Sequence, residues 1–249
     1  MEKNLTIIIP TYNNYVELEY TLKSILEFRE LYDLVIVDSS DHYPLDFEFK
    51  NVLSESSLWV EPNGVYDAIN RGVDLCETQY LMTLNSGDAA VTRNLKECIL
   101  SYLYIERADI DILVGAQDVV YRNIAYKYVP ELTSVWPHQS VIYKARLHEE
   151  YGNFDTEYKL VSDQMFFEKI KCSKMLTVKF ISCSLTVYDV TGISSIMNGK
   201  SLVEYKALNK LRGKNNIKLY LRYVFYKLSE RLNFDFNLYW HSLKSLLKG

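Results

Sequence analysis

Leu5-Thr6-Ile7-Ile8-Ile9-Pro10-Thr11-Tyr12-Asn13-Asn14 is the stretch that decides the fold. Leu5 to Ile9 is an almost unbroken apolar, β-branched run closed by Pro10. A strand with one wet face alternates polar and apolar residues. A run of this kind fits a strand covered on both faces, as in a parallel sheet. Thr11 to Asn14 read as a polar turn, and Val16 to Phe28 then set Val16, Tyr20, Ile25 and Phe28 at helical spacing. Leu34-Val35-Ile36-Val37-Asp38 is a second buried strand, ending on a carboxylate. Strand, helix and strand in this order predict a right-handed crossover with parallel pairing.

The alternation continues outward from there. Leu58 to Val60 reads as a short strand, Tyr66 to Cys76 as a helix, and Tyr80 to Leu84 as a strand running into Asn85-Ser86-Gly87-Asp88. Asn94 to Ile105 reads as a helix, Ile110 to Val114 as a strand, and Val119 to Val129 as an exposed antiparallel strand. Further on, Ser162 to Lys171 is a predicted helix with Ser162 as its N-cap, and Val178 to Ile181 and Leu185 to Tyr188 are two strands. The pattern predicts an α/β fold over residues 1–199: a Rossmann-like, mixed and mainly parallel sheet flanked by helices. A helical tail over residues 200–249 follows it.

Composition narrows the function classes. Hydrophobic residues make up 48% of the 249, which supports a sizeable core and excludes a disordered chain. The net charge of −4 argues against a nucleic-acid partner. The charge is uneven: residues 200–249 hold 11 Lys and Arg against 3 Asp and Glu. Four cysteines without Cys-x-x-Cys or zinc spacing read as reduced, packed thiols. The N-terminal apolar run is too short for a signal peptide, and no run of about 18 apolar residues occurs, so the expected location is cytoplasmic, free or peripheral on a membrane. Ile217, Leu221, Val224, Leu228 and Leu232 share one helical face, with Lys218 and Arg222 opposite. That helix either lies in an anionic membrane interface or packs its apolar face on the domain. If it is the anchor, removing the chain beyond about Lys200 releases the protein from membranes and leaves its chemistry intact. The sequence leaves the oligomeric state open.

In doubly wound sheets, ligands bind beyond the carboxyl ends of the strands. Thr11 to Asn13, Asp38 to Ser40 and Asn85 to Asp88 all lie at predicted strand ends, so three separate segments are expected to meet at one crevice. Asp88 is either a turn aspartate or an oxygen ligand for a hard cation. Asp163 is either an aspartate favoured by the helix dipole or a base. Asp38 either caps a turn or accepts hydrogen bonds from a nucleoside. Asp67, Asn70 and Arg71 are close neighbours on the Tyr66–Cys76 helix, where Gly72 hints at close packing. His138 either serves the loop around Trp136 and Pro137 or faces a ligand.

Taken in order, these motifs resemble family-2 glycosyltransferases with the GT-A fold, in particular a bacterial capsule, colanic-acid and O-antigen polysaccharide subgroup. The likeness is carried by Ile7 to Asn13, Leu34 to Asp38, Pro62 to Gly72, Leu84 to Asp88, Pro137-His138-Gln139, Ser162-Asp163 and Thr191 to Ser194, across roughly residues 4–196. The resemblance implies an inverting hexosyl transfer from a nucleotide-diphosphate sugar, UDP-sugar favoured, to a glycan or polyprenyl-linked acceptor. It implies Mn2+ or Mg2+ on Asp88 and Asp163 as catalytic base. Pro10, Thr11, Tyr12, Asp38, Asp67, Asn70, Asn85 and Ser86 would then line the nucleotide-sugar side, and His138, Gln139 and Ser194 the acceptor or diphosphate side.

This chain departs from the family pattern in three places. Asn85 and Gly87 stand where many members carry a second acid, Ile69 stands where many carry Arg, and Ser39 to His42 replace a Gly-rich stretch. The thinned metal motif and basic tail also permit a non-catalytic nucleotide-sugar-binding scaffold. A sugar-phosphate nucleotidyltransferase would need Gly and Lys after the first strand, and Thr11 to Asn14 supply neither.

Overall fold

The computed structural model describes residues 2–42, 47–105, 109–132, 135–173, 175–190, 198–232 and 235–248. Strands β1 (Leu5–Thr11), β2 (Asp33–Asp38), β3 (Ser57–Trp59) and β4 (Tyr80–Thr83) form its N-terminal half with β5 (Ala89–Ala90) beyond them. Strands β6 (Ile112–Tyr121), β7 (Ile124–Tyr128), β8 (Val141–Lys144) and β9 (Val178–Asp189) complete one mixed sheet, ordered β3-β2-β1-β4-β8-β6-β9-β5, with β7 on β6. β1 pairs in parallel with β2 and β4, and β2 with β3. β8 then runs antiparallel to β4 and β6, while β9 returns parallel to β6.

Helices α1 (Tyr15–Ile25) and α4 (Thr92–Cys98) cover one face, and α3 (Val65–Asp74) and α6 (Ser162–Lys171) the other. Short helices α2 (Lys50–Ser56) and α5 (Arg146–Tyr151) fill connections, and α7 (Gly199–Leu211), α8 (Ile217–Arg231) and α9 (Phe236–Lys248) form the tail. The run in β1 is almost wholly apolar because both its faces are dry. Leu5, Ile7 and Ile9 join Leu18, Leu22 and Leu95 on one side, while Ile8 joins Ile69, Leu81 and Phe167 on the other. Gly72 lets α3 settle onto β1: a Cβ there would stand 2.4 Å from Ile8 Cγ2.

Several local expectations change. The helix expected over 94–105 is α-helical only to Cys98 and π-helical over Ile99–Ile105. The two strands expected over 178–188 are one long β9, opposite a register shift between Gly115 and Gln117, which sequence periodicity reads as an interruption. The strand expected over 119–129 is split by a turn with Arg122 at φ 54°, so its first part continues β6. Ser162 is not the N-cap: Val161 holds that place, and the buried Ser162 hydroxyl has no partner among the described residues.

The tail folds back on the domain. Against β6 and β7, His241 of α9 stacks on Tyr121 and Tyr126 at 5.3 and 5.9 Å, and Asp235 pairs with Arg122 at 3.0 Å. Helix α8 buries Leu219 and Ser229, while Ile217, Leu221, Val224, Phe225 and Leu228 face outward. Arg222, on the face opposite that stripe, lies over the Trp240 ring at 5.7 Å. No described helix is long and apolar enough to cross a membrane.

Candidate active site

The three polar strand ends do converge. Thr11 is level with Asp38 in the β1–β2 register, and its hydroxyl lies 3.3 Å from Ser86 Oγ, beyond the end of β4. The Pro10 carbonyl accepts the Ser86 N–H at 3.4 Å. Asp38 is buried: Tyr15 Oη donates to one oxygen at 2.6 Å, and the Ser40 N–H donates to the other at 2.9 Å. Tyr12 and Trp59 leave their rings exposed beside this shelf, and the indole N–H is fixed on the Ser40 carbonyl at 3.0 Å.

Asp88 lies in the turn after β4. Thr21 of α1 fastens that turn, donating to the Asp88 carbonyl at 2.7 Å and accepting the Gly87 N–H at 3.0 Å. Gly87 has φ 102°, a conformation that side chains rarely adopt. One carboxylate oxygen of Asp88 accepts from the Asp189 N–H at 3.1 Å, and the other from the Gln139 amide. Burial dominates its titration and lifts the pKa to about 7, against the hydrogen bonds and the nearby His138. Asn85 Oδ1 is buried with no partner among the described residues. The Asp88 carboxylate and this orphan carbonyl are hard oxygen donors of the kind Mg2+ or Mn2+ prefers. No cluster of three acidic, His or Cys side chains suited to a metal occurs among the described residues, so most ligands would have to come from a bound substrate.

Asp163 opens α6, where the helix dipole favours a carboxylate. Tyr66 Oη donates to one oxygen at 2.6 Å, and His138 Nδ1 stands 3.1 Å from the other. Burial alone would raise the Asp163 pKa. His138, the Tyr66 hydroxyl and the Gln164 N–H outweigh it, and the carboxyl is held below its ordinary value. The His138 pKa is raised in turn: Asp163 and Asp88 overcome the desolvation that opposes its charge. Consecutive residues therefore grip the two acids, His138 holding Asp163 and Gln139 holding Asp88. That dipeptide, on a 3-10 turn ahead of β8, thus touches both carboxylates.

Other expected site residues make contacts of their own. Asn70 gives both ends of its amide to the backbone of Phe154, at 2.8 and 3.0 Å. Asp67 pairs with Arg71 at 3.9 Å along α3. Ser194 lies outside the described residues. Tyr66, Thr21 and Asp189 were not read from the sequence as site residues. For Tyr66 a signal existed, since it lies inside the Pro62–Gly72 motif.

Residues 6–167 match the profile described as "Glycosyl transferase family 2". The chain belongs to glycosyl transferase family 2. Curated relatives named "PGL/p-HBAD biosynthesis glycosyltransferase", from Mycobacterium bovis and Mycobacterium tuberculosis, are 26% identical over 202 residues, covering 75% of this chain and 77% of theirs. Among solved structures, S. aureus TarS 1-349 in complex with UDP superposes with a TM-score of 0.63 at 14% identity, over 84% of this chain and 65% of that one. The mannosyltransferase PcManGT from Pyrobaculum calidifontis, in complex with GDP-Man and Mn2+, gives 0.56 at 17%, over 78% and 59%. The family-2 chain thus spans just under two thirds of the TarS chain, and these likenesses establish the GT-A fold.

Proposed function

We propose that this family-2 glycosyltransferase moves a sugar from a nucleotide-diphosphate donor, UDP-linked by preference, onto a hydroxyl of a glycan or polyprenyl-linked acceptor, with inversion, in bacterial surface polysaccharide synthesis. The observation that carries the reading is the pair of buried acids held by His138 and Gln139 beside a nucleotide-fold crevice. Thr11, Tyr12 and Asp38 hold the nucleoside at the ends of β1 and β2. Asp88, with the Asn85 carbonyl, would hold a divalent cation. The cation supplies charge stabilisation for the leaving diphosphate. His138, whose proton is favoured by the acids on either side, adds positive charge on that side of the crevice.

Asp163 is ionised and fixed by Tyr66 and His138. It accepts the proton of the acceptor hydroxyl as that oxygen forms its bond to the anomeric carbon and the diphosphate oxygen leaves. A single displacement inverts the anomeric centre. The complexes of the structural neighbours with UDP and with GDP-Man and Mn2+ support a nucleotide-sugar donor and a divalent cation.

Location on the cytoplasmic face of a membrane is part of the same reading. Helix α8 presents Leu221, Val224 and Phe225 outward, about half exposed at 53%, 50% and 58%, with the exposed Lys214 and Lys218 nearby. An apolar stripe beside lysines suits an anionic lipid surface.

Thermal-shift titration with UDP-, GDP- and dTDP-sugars, each with and without Mn2+, tests the donor assignment. Stabilisation by a UDP-sugar that is greater with Mn2+ is expected, and no shift with any of them would remove the proposal. Asp163→Asn is expected to lower turnover by at least about a hundredfold, on the scale of lost general-base catalysis. Near-normal turnover would move the base elsewhere.

A further inference from the structure

Helix α7 belongs by composition to the basic tail, yet its Glu204 side chain ends on the segment just ahead of Asp163. The Glu204 carboxylate accepts the Lys159 N–H at 3.0 Å and the Leu160 N–H at 2.8 Å, just ahead of Asp163. Lys159 also reaches the other way: its ammonium donates to the Asn63 carbonyl at 3.1 Å, in the turn that opens α3 and leads to Tyr66. Beyond the end of α7, Arg212 bonds Gln164 Oε1 at 3.2 Å and Glu168 Oε1 at 2.9 Å, both on α6. A reciprocal cap between Asn198 and Ser201 fixes where α7 begins.

The segment from Asn153 to Val161 is irregular, and several of its amides are met by side chains: Phe154 by Asn70, Glu157 by Asp155, and Lys159 and Leu160 by Glu204. A carboxylate taking two adjacent N–H groups is a charge-assisted clamp, and removing it leaves water to meet them, which fixes no position. We infer that Glu204 is a positioning residue: it holds the Lys159–Leu160 backbone so that Asp163 on α6 meets Tyr66 on α3 and His138 in register. The inference rests on Asp163 being the base of the proposed transfer. It gives α7 a part in the chemistry that neither the basic composition of the tail nor the match over residues 6–167 assigns.

The test uses the full chain with Glu204→Ala, Glu204→Gln, Asp163→Asn and the Glu204→Ala/Asp163→Asn double variant. UDP release from UDP-GlcNAc and UDP-glucose is followed with Mn2+ and water as surrogate acceptor, alongside amide exchange over residues 159–164. Glu204→Ala is expected to lower kcat about ten- to a hundredfold, the range for a misplaced catalytic group, with the donor KM nearly unchanged because α7 does not touch the nucleoside shelf. Glu204→Gln keeps one acceptor oxygen and is expected to fall between. Because the loss runs through Asp163, the double variant should be no slower than Asp163→Asn alone.

Glu204→Ala with wild-type kcat, or losses that multiply in the double variant, would reduce Glu204 to a structural clip. If Glu204→Ala melts below the assay temperature, unaltered exchange over 159–164 in Glu204→Gln overturns the inference in the same way. Wild-type turnover by Asp163→Asn would instead sink the assignment of the base, a result separate from any change that Glu204→Ala makes to exchange.

Discussion

Asp88 is held dry, with both carboxylate oxygens in hydrogen bonds and a pKa lifted to about 7 by burial. The folded chain therefore binds this proton more tightly than the unfolded chain, whose aspartates titrate near 4. The resulting stability is fully present below about pH 4 and is lost as the pH rises through 7. Asp88→Asn removes that loss. Without metal or donor, the variant is expected to be the more stable protein at pH 8 and to lack turnover. Three pKa units set a ceiling of about 4 kcal/mol, less about 1 for a hydrogen bond that Asn cannot accept. Urea unfolding at pH 5 and pH 8 checks the sign: an equal difference between the two proteins at both values would refute it. Adding Mn2+ should narrow the gap, since a ligand stabilises only the form that binds it.

At the scale of elements, α3 is closely fitted to the sheet. Its Gly72 faces Ile8 at the centre of β1, and a Cβ added there would also stand 3.3 Å from Val37 Cγ2 of β2. Ile8 is β-branched and fully buried, so it has no rotamer to escape into. Alanine is the better helix former by about 1 kcal/mol, yet Gly72→Ala is expected to destabilise by about 1–3 kcal/mol because overpacking wins. Denaturant midpoints measure this, and a stabilised variant would show that α3 can slide. The displacement would also carry Tyr66 away from Asp163, so turnover should fall with stability. α7 is bound to the active-site scaffold in a comparable way. A cut near Lys200 would remove Glu204 and Arg212 together with the proposed anchor, whereas a cut after Gly213 keeps both bonded to the Asp163 segment.

Across the whole molecule, charge is segregated. Residues 200–249 hold 11 of the 28 Lys and Arg but only 3 of the 32 Asp and Glu. The apolar stripe of α8 lies in that basic region and faces away from the sheet. Co-sedimentation with phosphatidylglycerol-rich vesicles is expected, falling as salt rises to screen the lysines. Leu221→Glu with Phe225→Glu should abolish it without lowering the melting temperature, because neither side chain belongs to a buried core cluster. Equal sedimentation with neutral and anionic vesicles, or none with either, would remove the membrane from the proposed function.

By itself the sequence determined the parallel part of the sheet and the polar ends of its strands. The both-faces-buried run in β1, the carboxylate closing β2 and the Gly turn after β4 are local patterns, set by strand burial and by turn residues. Asp163 was readable for the same reason, as an acid in the first turn of a helix. Tertiary structure decided what each acid touches. Tyr66 reaches Asp163 across 97 residues, Gln139 reaches Asp88 across 51, and Glu204 reaches Leu160 across 44. Such bonds exist only once distant elements have docked, and helical or strand period records which face is buried, never which partner lies beneath it. The apolar stripe of α8 was equally plain in the sequence, but only the fold decided that it faces outward while α9 stacks on the β6–β7 surface.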